Sequence, residues 1–368
     1  MSRAYLFILV ILPFLANAQD NSSWDCFRGN SSLTGTTSVN LSKPLKLLWS
    51  FKTEDAIKSS PIIHNGNIYI GSNDGYIYSI SDKGTLNWKY KSATSIESPP
   101  LYLDNTIYVG SLEGVVVALD AKTGKLKWEY KTEGQISGSA NWFLSTDKKS
   151  KSIIIGSYDF FLHCIDALTG KSIWKYETEN YINGSPSTNG KLAIFGGCDG
   201  NLYLLDVATG KLANKIEIGT YMAASAAIVD DRAYFGNYDG DFYCADLSTK
   251  KIVWKFDGTA PILSSPAVSG DKVIVGSQDK NVYCFEKATG KVLWKFKTLG
   301  KVDSSPVITK STVIVGSGDG RIYMIDLNKG QKIWSYEIGK PVSSTPAVVK
   351  NMMVVGCEDG SVYAFGTK

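Results

Sequence analysis

The chain has 368 residues, 43% hydrophobic, 20% charged and 12% aromatic, with a formal net charge of +4. That is ample for a large core and is not a disordered composition. A small net charge with no basic block argues against a nucleic-acid partner.

In chain order, residues 1–18 read as an export signal. Arg3 supplies the positive start and Ala4–Ala16 a short apolar core, with small residues at Ala16 and Ala18 before a cut at Gln19. The apolar run is too short for a comfortable membrane span, and no other stretch is long enough. Cys26 follows bulky and charged residues, which argues against lipidation there. The expectation is a soluble exported protein, periplasmic or secreted, that does not span a membrane. Residues 19–44 form a lead-in segment, and residues 45–368 are one domain built from a single repeated unit.

That unit is marked by a glycine motif, as in "GSNDGYIYSI" at Gly71 and "GSGDGRIYMID" at Gly316. It occurs eight times, at steps of 39, 46, 40, 40, 40, 40 and 40 residues, the long step carrying an insertion at Ser145–Ser152. Each unit reads as four short strands separated by turns; one set is Ser264–Val268, Lys272–Ser277, Asn281–Glu286 and Lys291–Lys297. Four strands per repeat of this length predict a propeller blade. The fold class is therefore all-β, an eight-bladed propeller of four-stranded antiparallel blades. Trp49 precedes the first motif, so Leu45–Thr53 is expected to complete the last blade and close the ring.

The recurring motifs read as structural. A phosphate loop needs a helix N-terminus after its glycines, and here a strand follows. Asp-Gly between strands is a hairpin signal. The one acid per blade (Asp74, Glu113, Asp159, Asp199, Asp239, Asp279, Asp319, Asp359) lies on separate hairpins and does not gather around one cation. "DxxTGK" marks the next turn. Trp49, Trp88, Trp128, Trp174, Trp254, Trp294 and Trp334 hold one slot in each unit and are expected to pack against the neighbouring blade, with the indole N–H partnered. Asn214 takes that slot in the remaining unit, and this reads as drift at a tolerant blade. Cys164, Cys244 and Cys284 hold one position in three units, which fits small buried thiols too far apart to pair. Cys26 and Cys357 are left open.

The repeat "GSxDGxxYxxDxxTGKxxWxF…SSP" and the lead-in "WDCFRGNSSLTG" (Trp24–Gly35) resemble the pyrroloquinoline-quinone (PQQ)-type repeat propellers over nearly the whole chain after residue 18. In size and character the closest likeness is to BamB-like outer-membrane assembly propellers. The resemblance implies the fold but leaves activity open, because the family holds both quinone-dependent alcohol dehydrogenases and non-enzymatic scaffolds. The dehydrogenases carry adjacent cysteines at the cofactor. This sequence has no Cys-Cys pair and lacks their long insertions. His64 and His163 fall on different blades and assemble no catalytic group. No catalytic residue, cofactor or metal is expected. The expected function is a non-catalytic scaffold at the cell envelope, with outer-membrane protein assembly as the role that the BamB-like resemblance implies, acting as a monomer on a protein partner. The alternative is a small-molecule binder or quinoprotein-like dehydrogenase using the central channel. Either would use the channel mouth, where loops converge. The residues before each innermost strand are Lys58, Glu97, Ser137, Asn183, Ala223, Leu263, Asp303 and Ser343. Lys58, Glu97, Asn183 and Asp303 are its polar candidates for a partner surface.

Overall fold

Apolar residues on both faces of the third strand of each unit can be satisfied only if every sheet is sandwiched between two others. The computed structural model meets that demand by wrapping the sheets into a ring. It describes residues 22–41, 44–92 and 94–367. The export-signal reading of residues 1–18 lies outside them. Among the described residues the strands form eight four-stranded antiparallel sheets. Blade 1 spans residues 62–91, blade 2 101–131, blade 3 141–177 and blade 4 187–217; blade 5 spans 227–256, blade 6 267–297 and blade 7 307–337. Blade 8 takes three strands from residues 347–366, and Lys46–Lys52 pairs antiparallel with Ser361–Gly366 as its outer strand. The N-terminal strand thus closes the ring and removes a free edge.

One difference from the sequence reading falls on the first strand of each blade. In blade 6 it begins at Ala267, three residues after Ser264. Pro266 has no N–H for a ladder. Ser265 N–H instead donates to Ser305 Oγ of the next blade at 2.9 Å, and Ser264 Oγ binds Gly276 within its own blade. The "SSP" segments are therefore a girdle around the channel. Thr345 N–H bonds Ser60 Oγ at 2.9 Å across the closure.

The outer strands are joined by one repeated contact. Trp49, Trp88, Trp128, Trp174, Trp254 and Trp294 each donate the indole N–H to a turn carbonyl of the next blade, at 2.7–3.1 Å. Each ring also lies on a glycine of that turn (Gly84, Gly124, Gly170, Gly210, Gly290, Gly330), where an added Cβ would sit 2.5–2.9 Å from the indole. The glycine is needed twice, for a left-handed turn and for the ring above it. Asn214 leaves one seat empty of Trp, and the corresponding turn residue is then Lys250, with φ 63. The two departures are one coupled change across a single blade boundary.

The recurring acid is a second joint. Asp199 accepts from Asn201 N–H at 3.0 Å, from Glu179 N–H at 3.2 Å and from the Tyr203 hydroxyl at 2.6 Å. Asp74, Asp319 and Asp359 take the equivalent tyrosine hydroxyl. Blade 3 replaces that tyrosine with His163. It lies between Asp159 (3.0 Å) and the Tyr130 hydroxyl (3.0 Å) and is buried. Burial alone would raise the Asp159 pKa, but His163 and two backbone N–H groups pull it down to about 2. All six cysteines are free, Cys26 and Cys357 among them. Burial pushes their thiols well above the ordinary value, to about 12 at Cys26 and Cys357.

The lead-in runs along the end of the channel reached by the later part of each inner strand. Trp24 exchanges two backbone bonds with Ile63 of blade 1, and Asp25 O accepts from Tyr102 N–H of blade 2. Ser31 O receives the Asn141 amide of blade 3 and Thr188 N–H of blade 4. Ser32, Thr34 and Gly35 carbonyls then take Ile228, Val268 and Ile308 N–H of blades 5, 6 and 7. One strand of chain thereby ties seven blades in sequence order and closes that end, with Phe27 reaching the channel floor.

Candidate functional site

The opposite end stays open. Its walls come from the segments that lead from one blade into the next. In each, a buried aliphatic side chain anchors on the first glycine of the preceding motif. Ile96 packs on Gly71, Ile136 on Gly110 and Ile182 on Gly156, where a Cβ would meet the side chain at 2.2–2.3 Å. The residue after each anchor is left facing the channel. Lys58, Glu97, Ser137, Asn183, Ala223, Leu263, Asp303 and Ser343 all line this one cavity, of about 190 Å³, with the serine girdle and Phe27 beneath them.

The rim divides into two halves. The first is ionic. Lys58 Nζ meets Glu97 Oε1 at 2.9 Å, and Lys301 Nζ meets Asp303 Oδ2 at 2.8 Å. Gln278 holds the other Asp303 oxygen at 2.9 Å, and the Ser343 hydroxyl donates to Glu358 at 2.9 Å. Donating to the Glu97 and Asp303 carboxylates keeps the two lysines charged beyond their ordinary range. These partly exposed pairs add little stability, on the order of 0–1 kcal/mol each, but they set the pattern of charge at the rim.

The second half, over blades 3 to 5, is aromatic. Asn183 is its hub. Its amide oxygen accepts from the Tyr158 hydroxyl, and its Nδ2 donates to the Tyr221 hydroxyl at 2.8 Å. Tyr158 stacks on Tyr181 with centroids 4.9 Å apart, Phe160 lies 5.2 Å from Tyr181, and Tyr221 meets Tyr238 edge-on at 5.3 Å. Phe160, Tyr181 and Tyr238 are exposed. Phe160 occupies the turn position that is glycine in blades 1, 2, 4, 5, 7 and 8, and keeps φ 75. A left-handed backbone is unfavourable by roughly 1–2 kcal/mol for a residue with a Cβ. Here an exposed aromatic ring is held there.

Sequence reasoning named Asn183 and missed the tyrosines and Phe160 around it. The signal was present: "DFF" at Asp159–Phe161 breaks the Asp-Gly turn. All four polar candidates line the rim, but Lys58, Glu97 and Asp303 belong to its ionic half and Asn183 to its aromatic half. Among the described residues no group of His, Cys, Asp and Glu could hold a metal ion, and no helix is long and apolar enough to cross a membrane. Cys198, beside Tyr221, has its thiol pushed up to about 11, chiefly by burial, and is not a ready nucleophile.

Comparison with known proteins adds the following. The family model described as "Beta-alanine-activating enzyme, beta-propeller" matches residues 136–368, and that described as "Outer membrane protein assembly factor BamB" matches residues 45–176. No curated protein sequence matches the chain. BamB from Moraxella catarrhalis is 20% identical, with a TM-score of 0.74 over 88% of this chain and 100% of that one. The quinohemoprotein alcohol dehydrogenase from Comamonas testosteroni is 15% identical, with a TM-score of 0.80 over 95% of this chain and 81% of that one. A europium-containing methanol dehydrogenase is 14% identical, with a TM-score of 0.77 over 95% and 99%. At these identities the structures share the fold alone.

Proposed function

Since this chain belongs to the PQQ-type repeat β-propellers, in the family described as the β-propeller of the beta-alanine-activating enzyme, we propose that it is a non-catalytic scaffold that holds a protein partner on the rim of its open channel. The observation that carries this reading is Phe160. A bulky ring at a left-handed turn, exposed and packed on Tyr181, which in turn stacks on Tyr158, is unfavourable for the fold and suited to contact. Aromatic anchors beside a charged rim are the composition of a protein interface. The cavity of about 190 Å³ is smaller than the roughly 300–1,000 Å³ of ordinary small-molecule sites, which weighs against the quinone-binding alternative. The export reading of the N-terminus and the partial match to an outer-membrane assembly factor support a role at the cell envelope, in assembly of outer-membrane proteins.

The test is capture from envelope extract by the immobilised protein. The wild type should retain a specific partner, and Phe160→Gly should lose it while its melting temperature holds or rises, because glycine relieves the left-handed turn. Equal capture by both would remove the rim from the account. For the alternative, a clear rise in melting temperature on adding pyrroloquinoline quinone and calcium would replace the scaffold reading.

A further inference from the structure

The clefts between blades are not filled alike. On the lead-in face, blades 1 and 2 leave between them a cavity of about 740 Å³, within the roughly 300–1,000 Å³ of ordinary small-molecule sites. The same cleft between blades 2 and 3 holds about 310 Å³, with Lys127 and the inserted loop at Lys149–Lys151 sharing it.

Two positions of blade 1 depart from the repeat here. Each outer strand carries a bulge just before its tryptophan slot, and a bulge re-aims a side chain. The bulge residue is aliphatic in six blades (Leu48, Ile173, Ala213, Val253, Leu293 and Ile333), but Lys127 in blade 2 and Asn87 in blade 1. Opposite the tryptophan slot the other blades place Ala, Cys, Leu or Met, and blade 1 places Ser79. Asn87 Nδ2 donates to Asn67 Oδ1 at 3.0 Å and to Ser79 Oγ at 3.2 Å. Both amide protons are then used, and the amide oxygen of this exposed side chain remains an acceptor. Across the cleft, Tyr102 and Asn105 bring a hydroxyl and another carboxamide. The Tyr102 ring stacks on His64 at 3.6 Å, and Asp25 of the lead-in holds His64 Nδ1 at 2.8 Å. Among the described residues the wall carries one lysine, Lys122, and no carboxylate, so an ion finds little to pair with. Carboxamides and a phenol both give and take hydrogen bonds, as sugar hydroxyls do, and the aromatic wall suits the C–H edges of a sugar ring.

We propose that this cleft binds a short neutral saccharide, with Asn87 as its principal polar contact. Ligand hydroxyls donate to the Asn87 and Asn105 amide oxygens, and the ring packs against the His64–Tyr102 stack.

Chitotriose, cellotriose and maltotriose, each titrated into the full chain by calorimetry, are the probes. At least one should bind saturably at a single site. Asn87→Leu installs the side chain that Leu293 supplies in blade 6. It should weaken that binding by roughly tenfold or more while the melting temperature is kept. A soaked crystal of the wild type, which needs no variant to fold, should show the sugar against Asn87. No binding of any of these sugars, binding unchanged in Asn87→Leu, or equal binding of the tripeptide Gly-Ser-Gly would overturn the proposal. So would the chain's own residues 19–21 seated in the cleft. The cleft lies on the face away from the rim, so the outcome is independent of partner capture there.

Discussion

The outer seam and the inner rim of this ring obey opposite rules. At the seam six tryptophans repeat one contact, each on a glycine and each bonded to a carbonyl of the next blade. At the rim no one chemistry repeats around the ring, which runs from Lys58 and Glu97 through Asn183 to Leu263 and Asp303. Repetition at the seam follows from geometry, because every blade must meet the next at the same angle. The rim has no such obligation beyond its buried anchors, so its side chains are free to be selected for something else. The Asn214–Lys250 boundary shows the seam's rule by its exception. When the tryptophan goes, the glycine goes with it.

Substitutions at the two regions should separate these rules. The largest effect is expected at a seam seat. Gly210→Val would strike the Trp174 ring and strain a turn at φ 67, destabilising by about 3 kcal/mol in chemical denaturation. A loss under about 1 kcal/mol would mean that the seam gives way easily. Next is the acid joint. Asp199→Ala leaves the Tyr203 hydroxyl and two N–H groups without their acceptor, a loss of about 2 kcal/mol.

The acid joint of blade 3 has a pH signature. Asp159 has a folded pKa of about 2 against an ordinary 3.8, so its stabilising effect is complete above 3.8 and is lost as pH falls through 2. Acid denaturation curves should therefore be flatter over that window in Asp159→Asn than in wild type. Smaller again is Lys250→Gly, which relieves a left-handed lysine at the vacant seat and should gain about 0.5 kcal/mol. Smallest in stability is the rim. Glu97→Ala, Asn183→Ala and Asp303→Ala combined should shift the unfolding midpoint least, while abolishing partner capture. Unchanged capture would reduce the rim residues to hydrated loops.

Much of this molecule is written in its periodicity. The eight motif copies, the turn glycines and the tryptophan slots determine four strands per blade, eight blades and closure through residues 46–52, because a sheet apolar on both faces has to be stacked and a stack of eight has to close. The eight rim positions were also legible, since each follows a repeated aliphatic anchor. Tertiary structure decided what those positions touch. That Tyr158 and Tyr221 converge on Asn183, that Lys250 answers Asn214 thirty-six residues away, and that Arg28 lies beside Pro266 are contacts between blades or across the whole chain. Local pattern sets each strand's own faces. Only closing the ring determines which of them meet.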